Sequence, residues 1–158
     1  MIIRVCDYEL FADYHQFYLQ DDDVTKGSLA NSWSNEAVQR MLAVAPYSIG
    51  IGTVRDMYVQ VLVVIHDSRP EIDFSTSDNV MQASLQIVTG RIVIAGCTDC
   101  FPDAARIEVD PGIYEALICY NDLDKVFENG STGNDFYEVH LFKGLPIEPK
   151  ILKQFSGL

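Results

Sequence analysis

Apolar residues recur along this chain in short runs, alternating or wholly apolar, and the runs are separated by Gly, Pro, Asn and Asp. Such punctuation predicts strands. Ile2 to Val5 and Tyr14 to Leu19 come first, followed by Ser48 to Val54, where glycines at 50 and 52 predict a bulge or a bend. Met57 to Ile65, MYVQVLVVI, is apolar on both faces apart from Gln60, which predicts a central strand of two packed sheets. Farther on, Met81, Ala83, Leu85 and Ile87 alternate with Gln82, Ser84 and Gln86, so one face turns inward and the other meets water. Thr89-Gly90 predicts a hairpin turn into Ile92 to Ala95. Ala105 to Val109, a tight reversal at Asp110-Pro111-Gly112, Ile113 to Tyr120 and Tyr137 to Phe142 complete the set. Roughly eight to ten strands at this spacing predict an antiparallel β-sandwich rather than a parallel α/β sheet.

One segment departs from the two-residue period. Ser34 offers a capping hydroxyl to Asn35–Leu42, a run of good helix formers with Val38, Met41 and Leu42 on one stripe, and Pro46 ends any helix. Trp33, just before the cap, is placed to staple onto the first helical turn. A second short helix is predicted at Leu123 to Glu128, before NGSTGND. The expected fold is therefore mainly β: an antiparallel β-sandwich with one or two short helices, forming one domain over residues 1–158.

Composition agrees with a folded chain of this kind: 158 residues, 48% hydrophobic and 22% charged, are enough to bury a core without disulfide staples. The opening MIIRVCDYEL lacks the basic region and cleavage site of a signal peptide, and the apolar run Val61–Ile65 is far short of the roughly 20 residues that span a bilayer. These features predict a soluble cytoplasmic protein whose four cysteines stay reduced. A formal net charge of −12 repels phosphate backbones and anionic lipid heads, which argues against nucleic acid and membranes as direct partners. A basic protein or a cation suits it better, although many soluble proteins are acidic for solubility alone.

Candidate chemistry is sparse. Cys97-Thr98-Asp99-Cys100 has chelating or redox spacing, yet a zinc site wants a second ligand pair and a redox pair wants a following helix, and the sequence offers neither. His15, His66 and His140 fall in or at the ends of predicted strands, with no nucleophile motif, metal-binding helix or phosphate loop beside them. Catalytic residues, resident metal and cofactor are accordingly predicted to be none. Loop carboxylates at Asp21 to Asp23, Asp99, Asp103, Asp122 and Asp124 leave a calcium- or small-ligand-binding sandwich as the alternative. The stretch YHQFYLQDDD carries the other reading: an aromatic strand ending in three aspartates looks like a contact surface for something positive.

YHQFYLQDDD, the W-S-N-E-A helix start at Trp33 to Ala37, the strand pair from Ser48 to Ile65 and PGIYEALICY at Pro111 to Tyr120 together resemble the competence protein J family, small inhibitors of a nuclease of DNA uptake. The likeness covers Tyr14 to Asp122. This chain departs from that pattern in CTDC, in Asn129 to Asp135 and in a tail bearing Lys143, Lys150 and Lys153. The resemblance implies a non-enzymatic inhibitor or immunity-type protein that neutralises a basic partner, a nuclease or toxin, and it leaves self-association open. Under that reading Asp21, Asp22, Asp23, Asp122 and Asp124 steer and pair with basic groups, and Tyr18 supplies apolar contact. Ten acids against Arg106 and Lys125 lie between Asp99 and Glu138, a second acidic region that would join the Asp21 cluster if the loops meet.

Overall fold

In the computed structural model, which describes residues 1–23, 29, 31–99, 101–124 and 133–155, eleven strands pair into two sheets. The six-stranded sheet has the order β1 (Ile2–Phe11), β5 (Tyr58–His66), β10 (Phe136–Lys143), β9 (Gly112–Asn121), β6 (Asn79–Ile87), β11 (Lys150–Lys153). The five-stranded sheet has the order β3 (Leu42–Ala45), β4 (Ser48–Gly52), β2 (Gln16–Asp21), β7 (Arg91–Gly96), β8 (Ala105–Glu108). Neighbours are antiparallel except β5 and β10, which run parallel with Phe136 opposite Gln60. One α-helix, α1 (Asn35–Arg40), precedes β3. The fold is a mainly β sandwich, as the strand spacing predicts.

Alternation fills the space between the sheets. Phe17 and Leu19, Ile49 and Ile51, and Ile92 and Ile94 point inward from one sheet to meet Val59, Val61 and Val63, Met81, Ile118 and Tyr137 of the other. The β5 reading holds: this strand is paired on both sides and buries Val59, Val61, Val63 and Ile65. Burying each such side chain contributes about 1.5–3 kcal/mol.

Four local expectations need correction. Thr89-Gly90 and Asp110-Pro111-Gly112 do not close hairpins: β6 and β9 lie in one sheet, β7 and β8 in the other, so both segments arch across the core. Residues that favour a reversal serve equally well when the next strand starts on the opposite layer. Tyr14 and His15 do not extend β2; Asp13–His15 forms a 3-10 turn with left-handed φ of 58° and 59°, because the chain must turn a corner between layers. Gly50 and Gly52 make no bulge either. Their strand pairs in unbroken register, and the missing Cβ at Gly50 leaves room for Trp33, whose Cζ2 would stand 2.9 Å from one.

The helix is shorter than its pattern suggests. Ser34 caps it, accepting the Ala37 N–H at 3.1 Å, but Met41 turns left-handed at φ 63° and ends it at Arg40. Ala37 is its buried residue, whereas Val38 is exposed. Strands β3 and β11 were not expected, the first being hidden in the supposed helix end and the second in the lysine-bearing tail. Residues 125–128 of the second expected helix lie outside the described residues, and Leu123 is buried in the core.

Candidate functional site

The aspartates that end β2 are absorbed by the fold. Asp21 is 0% exposed, and its carboxylate accepts from Val88 N–H at 3.0 Å, Thr89 N–H at 3.0 Å and Thr89 Oγ1 at 2.8 Å. It clasps the arch between β6 and β7. Asp22 accepts from Arg91 Nε at 2.7 Å and from Arg106 Nε and Nη2 at 3.2 and 3.0 Å. Burial pulls the Asp22 carboxyl up, but the hydrogen bonds and charge of Arg106 and Arg91 outweigh it and hold the pKa below the ordinary value. Asp23 is half-buried. Tyr18 is half-buried too, on the outer face of the five-stranded sheet between Gly50 and Ala95, and its phenol pKa is raised by burial and then by Cys97 and Asp99.

The two acidic regions lie at opposite ends of the sandwich. Asp21 sits where β6 ends, and there Ile87 faces Gly112 at the start of β9; Asp122 and Asp124 follow the far end of that strand. Nine residue steps of strand separate them, about 30 Å. The Asp21 cluster and the Asp122 loop therefore do not merge. Asp122 is half-buried with φ 52° and Asp124 is exposed.

What the fold brings together instead is a face at the β1–β5 edge. Strand pairing sets Phe11 beside Tyr58, Glu9 beside Gln60 and Phe136, and Asp7 beside Leu62 and Glu138. The Phe11 and Tyr58 rings stack at 5.1 Å, yet Tyr58 stays 51% exposed. At the adjoining corner Tyr14 is 68% exposed, and its N–H is shared between Asp13 Oδ1 at 3.1 Å and Asp56 Oδ1 at 2.9 Å. Among the described residues, Asp7, Glu9, Asp13 and Asp56 enter no ion pair. Arg55, next to Asp56, is occupied by buried Asp135, which also accepts from Tyr137 Oη at 2.6 Å. Exposed rings with a rim of unneutralised carboxylates form a surface suited to a basic protein partner.

Sequence reading missed this face, although its signals were present. In IIRVCDYELF the acids at 7 and 9 alternate onto one side, and Gln60 is the polar break in an otherwise apolar strand. Which strand would lie beside them was not visible.

His66 Nε2 and His140 Nδ1 stand 2.9 Å apart, and His140 Nε2 is 3.2 Å from Glu138 Oε2. Burial, then His140, lowers the His66 pKa. Ser77 hydrogen-bonds Asn121, and among the described residues no hydroxyl or thiol bonds to either imidazole. Cys119 is pushed up to about 11 by burial and Cys97 is raised by burial and then by Asp13, so neither thiol is activated. Cys100 lies outside the described residues. Among the described residues no three His, Cys, Asp or Glu side chains gather around a metal-sized space, and no helix is long and apolar enough to cross a membrane.

No protein-family model matches the chain, and no curated protein matches its sequence. Solved structures do match its fold. The crystal structure of ComJ from Bacillus subtilis, described as an inhibitor of the DNA-degrading activity of NucA, superimposes with a TM-score of 0.69 at 16% identity, covering 91% of this chain and 99% of ComJ. A protein described as Crocagin biosynthetic gene J superimposes with a TM-score of 0.63 at 18% identity, over 90% of this chain and 98% of that one. The resemblance first suggested by short motifs thus extends through the architecture, and the chain is ComJ-like in fold.

Proposed function

We propose that this protein is a non-enzymatic inhibitor that binds a basic partner, a nuclease, and blocks its nucleic-acid groove. The observation that carries the reading is the convergence of exposed Tyr14 and Tyr58 with Asp7, Glu9, Asp13 and Asp56 on one corner of a fold shared with a nuclease inhibitor. The carboxylates take positions that substrate phosphates would hold against basic groups, and the rings supply contact area at small entropic cost. Asp122 and Asp124 extend the negative potential along the same end. Asp21 and Asp22 serve the framework instead: Asp21 is buried with three donors on one of its oxygens, and Asp22 is paired with Arg91 and Arg106. A cytoplasmic location fits this role.

The test is a DNA-hydrolysis assay on fractionated nuclease activity from the source cell, with wild-type protein and an Asp7→Lys, Glu9→Lys, Tyr58→Ala variant added in parallel. Wild-type protein should suppress one fraction stoichiometrically, and the variant should need about a hundredfold higher concentration. If no fraction is suppressed, the reading fails.

A further inference from the structure

Around the corner from the acidic face lies a recess of about 560 Å³, lined by Tyr14, His15, Trp33, Val38, Met41 and Val54 among others. That volume is in the range of specific binding pockets, about 300–1,000 Å³. Two independent observations single it out. Tyr14, His15 and Met41 all line it and all hold left-handed backbone, at φ 58°, 59° and 63°. This conformation strains residues with a Cβ and tends to persist at binding sites. In addition, Asp13 and Asp56, which accept from the Tyr14 N–H beside it, enter no ion pair among the described residues.

The fold maintains this arrangement actively. Asp13 and Asp56 hold the Tyr14 N–H, Thr53 N–H donates to the His15 carbonyl at 2.8 Å, and Tyr120 Oη donates to the Met41 carbonyl at 2.5 Å. Each left-handed residue is thus tied in place from outside its own turn. The walls are mostly apolar, while the acids that hold Tyr14 stand at the lip.

The geometry points to a preformed socket for one large apolar side chain of the partner protein, with a neighbouring Lys or Arg meeting Asp13 and Asp56. The identity of the occupant rests on the inhibitor reading; the socket itself does not. Charge selects this occupant over a free apolar metabolite, because the lip carries two carboxylates without an ion pair among the described residues.

Trp33 is the single tryptophan, so its emission reports on the socket alone. The probes are the capped tripeptides acetyl-Gly-Leu-Lys-amide and acetyl-Gly-Ala-Lys-amide, titrated into the purified chain. A saturable shift in emission with the Leu peptide, at least about fivefold weaker with the Ala peptide, is expected. Val38→Arg, at an exposed mouth position, should abolish it without unfolding the chain. Tyr14→Gly should weaken peptide binding about fivefold while raising the melting temperature by about 3 °C, since glycine relieves the strain. Equal response to both peptides, no response to either, or undiminished binding by Tyr14→Gly overturns the socket. Peptide binding by a chain that suppresses no nuclease fraction upholds the socket and overturns the inhibitor reading instead.

Discussion

The two ends of the sandwich carry the same residue type to opposite effect. At the end where β2 stops, Asp21 is buried with three donors on one of its oxygens and Asp22 is paired with two guanidinium groups, so neither carboxylate is offered to a partner. At the β1–β5 edge, Asp7, Glu9, Asp13 and Asp56 have exposed rings for neighbours and enter no ion pair among the described residues. A run of acids in sequence says little about surface potential. What decides is whether arginines tens of residues away are delivered to them, as Arg91 and Arg106 are to Asp22.

Substitutions sharpen this contrast, and the largest effect belongs to the exception at the acidic end. Arg55→Leu leaves the fully buried Asp135 carboxylate without its cation, and unfolding free energy should fall by about 3–5 kcal/mol in a denaturant titration. Asp21→Ala orphans the Val88 and Thr89 donors at the arch and should cost about 3 kcal/mol by the same measurement. If Asp21→Ala is neutral for stability and harms partner binding, the two ends have been assigned the wrong way round. Asp7→Lys with Glu9→Lys should change stability by under about 0.5 kcal/mol yet slow association with the partner about tenfold at low salt. That loss should shrink as salt is added, which stopped-flow measurements across ionic strength will read.

The smallest effect is one of pH. Because the folded pKa of Asp22 is depressed, its stabilising contribution is present above the unfolded carboxyl pKa of about 3.9 and is lost as pH falls through the lower folded value. Asp22→Asn should therefore lower stability at neutral pH and flatten its decline below about pH 4. An unchanged acid limb in thermal melts at pH 3 to 5 would count against the pairing.

Most strands were legible because their two-residue alternation survives whatever lies beside them. The layer to which each belongs was not: Thr89-Gly90 has the chemistry of a hairpin turn, and only the paired registers of β6 with β9 and β7 with β8 reveal an arch. Helix length is not legible at Met41, whose left-handed cap is fixed by hydrogen bonds from Gly52 and Tyr120 of other strands. The fates of the aspartates were hidden for the same reason. Asp21 reads as a surface charge until Val88 and Thr89, 67 and 68 positions later, fold back onto it. In the proposed face the aromatic half of YHQFYLQDDD is represented by exposed Tyr14, whereas Tyr18 is half-buried.

The insertion of β10 between β5 and β9 sets the order in which the protein can be completed on the ribosome. Until residues 136–143 have emerged, β1 with β5 and β6 with β9 are two partial sheets, each with an open inner margin. A nascent chain must keep those margins apart from one another and from its neighbours, and a message truncated upstream of β10 would release a product primed to aggregate.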